Sequence, residues 1–231
     1  EDIQDQVELT LMRAGEHKVA RSYVLYREQR SQERKIAHSD DVPAVRSSTL
    51  TVTLLDGSKA PLDERRLRKV IDEACNDVEG AVAETIVDET LRSLFDGVAE
   101  ADVARAATMS ARVFIEREPN YTYVAARLLL DSLRQEALSF VSKRRDEATH
   151  AEMTERYPAY FEGYVKRAID LELMDPRLGN YDLERIGKAI KPERDFSFNY
   201  LGMQTLYDRY FIQSSGTRFE LPQAFFMRVA M

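Results

Sequence analysis

The residues able to do chemistry are few and widely scattered. One cysteine, Cys75, stands alone in 231 residues, so neither a disulfide framework nor a multi-cysteine zinc site can be built within the chain. The three histidines, His17, His38 and His150, lie far apart and show no ligand spacing. The isolated glycines Gly57, Gly97, Gly163 and Gly179 form no phosphate-cradling loop. The one tight basic cluster, Lys143-Arg144-Arg145, is followed directly by Asp146 and Glu147, which reads as a solvated helix end. An aromatic set at Phe196, Phe198, Tyr200, Tyr207, Tyr210 and Phe211 has the content of a base-stacking platform. The net charge of −7 argues against a nucleic-acid partner and leaves core packing as its reading.

Composition narrows the class further. At 44% hydrophobic and 32% charged, the chain is ordinary globular material with enough apolar surface for one large or two modest domains. No apolar run approaches the ~20 residues of a membrane span, and the first residues lack the pattern of a signal peptide. Cytoplasmic localisation, with no membrane partner, is expected. The chain opens without a start methionine and closes on an apolar helical pattern with no stop signal, so it reads as a fragment.

The elements that must position any site are mostly helical. Ile3, Val7, Leu11 and Met12, then Val19, Tyr23 and Tyr26, predict an amphipathic pair ending near Arg30. Residues 31–48 are polar and aperiodic, a linker. The run from Leu50 to Leu55 and the Asp56-Gly57 pair predict a strand and a tight turn. Asp63 is the expected N-cap of a helix with Leu67, Val70, Ile71, Ala74 and Val78 on its apolar face. Cys75 sits beside that face as a small hydrophobe. Gly80, Asp96-Gly97 and Pro119-Asn120 bracket two more helices, and Asn120 is expected to cap the next. Beyond Ser139 a face of Phe161, Tyr164, Val165, Ala168 and Ile169 follows, then a short hairpin around Ser214-Ser215-Gly216 and a closing helix begun by Pro222. Asp2-Ile3 with Val19-Ala20-Arg21 echoes Asp102-Val103 with Val124-Ala125-Ala126, so the opening pair reads as the back half of a module whose complete copy follows. The fold class expected is mainly α, helical bundles with small β-hairpins.

Three segments carry a family resemblance. Residues 52–57 with the following helix resemble the opening of the ATP-cone, the nucleotide-sensing module of many ribonucleotide reductases. Residues 119–128, Pro-Asn-Tyr-Thr-Tyr-Val-Ala-Ala-Arg-Leu, look like the segment joining that cone to the reductase body. The most specific string is Arg194-Asp195-Phe196-Ser197-Phe198-Asn199-Tyr200-Leu201-Gly202, continued by Arg209-Tyr210-Phe211 and Glu220-Leu221-Pro222-Gln223. It resembles the helical domain before the catalytic barrel of a class I large (alpha) subunit. Residues 1–30 are similar to the last half of another cone.

The resemblance implies four parts: residues 1–30, the end of a first ATP-cone; 31–48, a linker; 49–138, a second cone; and 139–231, the reductase amino-terminal helical domain. It implies a parent enzyme, a ribonucleoside-diphosphate reductase using thiyl-radical chemistry under ATP/dATP control. The parent would form homodimers and higher oligomers, and a radical-generating small subunit would carry the metal-radical cofactor. With its only cysteine in a cone helix, this stretch is expected to hold no catalytic residue and no cofactor of its own. A cobalamin-dependent reductase, or a transcription regulator that joins a cone to a four-cysteine zinc ribbon, are the alternatives.

The resemblance also locates the nucleotide ligands. A working cone places Lys-Arg before its Asp-Gly turn, where two cations meet the triphosphate; here stand Leu54 and Leu55. The Thr and His that begin its third helix correspond to Glu100 and Ala104, and a lysine near the end of its fourth helix falls at Gln135 or Glu136. The second cone is therefore expected to be degenerate. In the partial first cone Gln4, Arg27 and Arg30 occupy positions of polar or cationic contacts, although the strand and turn that cradle phosphate would lie upstream of Glu1.

Overall fold

The computed structural model describes residues 50–54 and 57–231. The helical pair before Arg30, the linker, Gln4, Arg27, Arg30, Leu55 and Asp56 lie outside the described residues.

Strand β1 (Thr51–Thr53) pairs antiparallel with β2 (Lys59–Pro61) and parallel with β3 (Val98–Ala99), so β1 is central. The third strand is an addition to the expected hairpin. It is two residues long and leaves no periodic trace in the sequence. Asp96 and Gly97 set it in place: Thr51 N and Oγ1 donate to Asp96 Oδ1 at 2.9 and 2.6 Å, and Thr53 Oγ1 donates to the Gly97 carbonyl at 2.8 Å. Gly97 takes φ +79°, open to glycine without a Cβ penalty.

Helix α1 (Glu64–Cys75) begins as expected, with Asp63 accepting from Arg66 N at 2.9 Å. Helices α2 (Ala83–Ser93) and α3 (Glu100–Val113) follow, then the long α4 (Tyr121–Ser142). Asn120 does not cap α4 through its side chain. Its backbone is already helical at that point, and its Nδ2 donates instead to the Glu79 carbonyl at 3.1 Å. Arg127 of α4 closes the far end of α1, donating to the carbonyls of Ala74 (3.0 Å) and Asn76 (2.6 Å). Those are orphan acceptors of a helix C-terminus, and a guanidinium suits them in both geometry and charge.

Helix α4 belongs to two cores. Its first turns send Tyr121, Val124, Ala125 and Leu128 against Leu67, Ile71, Ile86 and Val103. Its later turns send Leu130, Leu133, Ala137 and Leu138 into a second cluster with Phe161, Tyr164, Val165 and Phe219. The helix is continuous through residue 138, so the chain passes from one core to the other without a hinge.

The second core is organised by α5 (His150–Asp170), whose Tyr157, Tyr160 and Tyr164 share one face. Each phenol is buried and each has a partner, as an apolar site demands. Tyr157 donates to Asp195 at 2.5 Å, Tyr160 to the Phe219 carbonyl at 2.7 Å, and Tyr164 to Glu220. Pro158 lies inside α5, and the short α6 (Leu183–Ala189) crosses there through Gly187. A Cβ on Gly187 would lie 2.8 Å from the Pro158 Cα. Gly187→Ala is expected to lower stability by about 1–3 kcal/mol through forced separation of these two backbones, read as a drop in the urea midpoint. Helix α7 (Tyr200–Arg209), the hairpin of β4 (Gln213–Ser214) and β5 (Thr217–Arg218), and α8 (Pro222–Ala230) complete the chain. Ser215 and Gly216 both have positive φ, the two-residue turn that matches strand twist. No described helix is long and apolar enough to cross a membrane.

Candidate effector site

Leu54 at the end of β1, Glu100 and Ala104 on α3, and Gln135 and Glu136 on α4 are distant in sequence but line one cavity of about 940 Å³. Its far wall comes from the second half of the chain, through Tyr200, Gln204 and Tyr207 of α7. A smaller cavity of about 280 Å³ shares Leu54, Glu100, Ala104 and Gln135 and runs toward Val52 and Leu67 beneath the sheet. Five of the positions identified in sequence as cone ligands or their replacements therefore face a common space. Gln4, Arg27, Arg30 and Leu55 lie outside the described residues.

The charges around this space are arranged in pairs. Glu100 accepts from Arg145 at 2.5 Å, Arg145 stands 4.0 Å from Glu147, and Glu147 lies 3.2 Å from Arg66. Arg66 reaches Asp131 at 3.8 Å, and Asp131 binds the buried Arg134 at 2.9 Å. The alternating series connects the loop after α4 with α3, α1 and the interior of α4. Arg105, the other arginine of the cavity wall, pairs with Asp102 at 2.7 Å. Glu136 accepts from the Arg218 amide at 2.5 Å and from Tyr207 at 3.2 Å, and burial pushes its carboxyl upward.

The basic cluster is exposed, as expected of a solvated helix end. Lys143, Arg144 and Arg145 all face solvent, with Lys143 in the left-handed conformation that ends α4, and Arg145 also reaches back to Glu100. The two partners are 45 residues apart, and no local spacing in the sequence announces them.

The other candidates fall into structural roles. Burial, aided by Asp72, pushes the Cys75 thiol up to about 11, away from the reactive thiolate. His150 stacks on Phe196 with ring centroids 3.6 Å apart, and the Arg127 guanidinium lies 4.1 Å from the same ring. Burial, with Arg134 and Arg127 nearby, lowers its imidazole to about 4, a neutral ring at physiological pH. Among the described residues no group of three or more His, Cys, Asp or Glu is placed to hold a metal. Of the aromatic set, Phe211 is buried, and Phe198 and Tyr207 pack against the second core. Tyr200 packs against the first core, and Tyr210 is 56% exposed beyond the end of α7, contrary to the packing expectation.

The ATP cone domain matches residues 1–32 and 50–136, just over half of the chain. The chain belongs to the ATP-cone family. The all-alpha domain of ribonucleotide reductase matches residues 196–231. Among individual proteins, the chain is 37% identical over 235 residues to the ribonucleoside-diphosphate reductase subunit alpha of Chlamydia muridarum, covering 100% of this chain and 22% of that protein. It is 30% identical over 184 residues to the corresponding subunit of Helicobacter pylori, with 79% of this chain and 22% of the relative covered. The ribonucleoside-diphosphate reductase large subunit of Danio rerio is 27% identical over 143 residues, 62% of this chain and 17% of its own. The chain thus spans about a fifth of the length of the first of these relatives.

Proposed function

We propose that the chain is the allosteric and structural amino-terminal region of a ribonucleoside-diphosphate reductase alpha subunit, and that its second cone, residues 49–138, has lost triphosphate binding and serves as a rigid coupling element. Residues 139–231 would then form the helical domain ahead of the barrel, and residues 1–30 the end of a first cone whose Gln4, Arg27 and Arg30 contact nucleotide. The parent would reduce ribonucleotides by thiyl-radical chemistry in the cytoplasm. It would assemble as homodimers and larger oligomers, and draw its radical from a metal-containing small subunit. The names of the relatives favour this reading over a cobalamin-dependent reductase or a transcription regulator.

The observation that carries the loss of triphosphate binding is the cavity lining itself, where Leu54, Glu100 and Ala104 stand at the expected ligand positions and both wall arginines face carboxylates. A phosphate that recruited Arg145 would leave Glu100 uncompensated at the same mouth. Each hydrogen bond to a charged group contributes about 1.5–3 kcal/mol, so losing two or three weakens binding by roughly a thousandfold. The test restores the ligands. A chain carrying Leu54→Lys, Leu55→Arg, Glu100→Thr and Ala104→His is expected to bind ATP at least about a hundredfold more tightly than the native chain in equilibrium dialysis. Equal binding by the two would reject the reading.

A further inference from the structure

The ion pairs between α3 and the interior of α4 show an order that isolated bridges lack. Along Glu100, Arg145, Glu147, Arg66, Asp131 and Arg134 the successive separations are 2.5, 4.0, 3.2, 3.8 and 2.9 Å. Short and long contacts alternate. Three close pairs stand end to end, and each gap between neighbouring pairs is itself within ion-pair reach. Side-chain exposure falls from 56% at Arg145 to 4% at Arg134, so the series begins in solvent and ends in the interior.

Two members stand between alternative partners. Glu147 Oε2 is buried and lies between the Arg66 and Arg145 guanidiniums without a hydrogen bond to either. Asp131 gives one oxygen to Arg134 and turns the other toward Arg66. The buried end has few other contacts. Arg134 donates from Nε to the Ala148 carbonyl at 3.2 Å and from Nη2 to Asp131 at 2.9 Å, while its Nη1 is buried without a hydrogen-bond partner among the described residues. A buried guanidinium that loses its carboxylate keeps its charge and recovers no hydration, so the position of Arg134 depends on Asp131.

We propose that these six residues form a shifting ion-pair register, which transmits the charge state at the first turn of α3 to Arg134 between α4 and α5. With Glu100 ionised and free, the close pairs are Glu100–Arg145, Glu147–Arg66 and Asp131–Arg134. When the Glu100 charge is removed, Arg145 closes on Glu147, Arg66 turns from Glu147 to Asp131, and Asp131 loosens its hold on Arg134. Ala148, whose carbonyl Arg134 holds, directly precedes Thr149, the N-cap of α5. The displacement thus arrives at the helix that organises the second core. The inference rests on the reading of the cone as a coupling element and deepens it, since α4 supplies a rigid connection and the register adds one that charge can move.

Exchange of the Arg134 Nε proton reads the buried end directly, in the full chain labelled at arginine Nε. Glu100→Gln is expected to speed that exchange about tenfold, the size of a coupling within one charge network. The Ile86 amide in the first core should keep its native rate. In a Glu147→Gln background, which interrupts the series, the same substitution should change the Arg134 rate less than about twofold. Asp102→Asn removes an ion pair of the same helix that lies outside the series and should leave the Arg134 rate unchanged. Equal Arg134 rates in native and Glu100→Gln chains overturn the proposal. So does a rise matched at Ile86, which marks general loosening, or a rise that survives the Glu147 substitution. The coupling reading beneath it fails by a separate result: Ile71 exchange that stays at its native rate in a Leu133→Ala chain.

Discussion

Glu220→Leu is expected to lower the unfolding free energy by about 3–5 kcal/mol, the largest single effect in the second core. The carboxylate is fully buried and holds three separate parts of the chain. It accepts from the Tyr164 phenol on α5, from the Ile212 amide at 2.9 Å before the hairpin, and from the Arg228 guanidinium on α8 at 2.6 Å. Leucine fills similar space but accepts nothing, leaving a buried phenol and a buried amide without partners. Arg228 retains some solvent access and recovers part of its hydration, so the phenol and the amide account for most of the loss. Glu220→Gln keeps an acceptor oxygen and is expected to lose distinctly less. Urea unfolding of the two variants separates the outcomes, and equal stability of native and leucine chains would contradict the assignment.

Leu133→Ala should cost about 2–5 kcal/mol, because Leu133 is fully buried in α4 and its removal leaves a cavity the helix cannot collapse to fill. More telling is where the loss appears. Since α4 continues from one core into the other, the described cone residues and the following helices are expected to unfold together. Fluorescence of tyrosines in the second core and amide exchange at Ile71 and Ile86 in the first should report one shared transition, shifted equally by the substitution. Exchange at Ile71 that stays at its native rate would show that the cone is an independent folding unit.

Features governed by local chemistry were legible in the sequence. Asp63 caps α1 because an aspartate before an apolar-periodic run satisfies a nearby amide wherever it stands, and the Ser215-Gly216 turn follows from a glycine free to take positive φ beside a turn-forming serine. Asn120 misled because the same side chain serves equally well as a donor to a distant carbonyl, and Glu79, forty-one residues away, claimed it. The Arg127 closure of α1, the Arg145–Glu100 pair and the two-residue β3 likewise depend on tertiary placement. The passage of α4 from the first core at Leu128 to the second at Leu130 concerns which core each turn faces, and helical periodicity carries no mark of that. The expectation of replaced ligand positions came from resemblance, whereas the Arg145–Glu100 pairing emerged only with the fold.

Isothermal titration of the full chain with ATP and with dATP, in magnesium at moderate salt, tests the loss of triphosphate binding most directly. No heat of binding up to high micromolar nucleotide is the result predicted for a cavity whose cations are absent or paired. Micromolar binding that disappears in an Ala104→Trp chain, whose added ring fills that cavity, would contradict it.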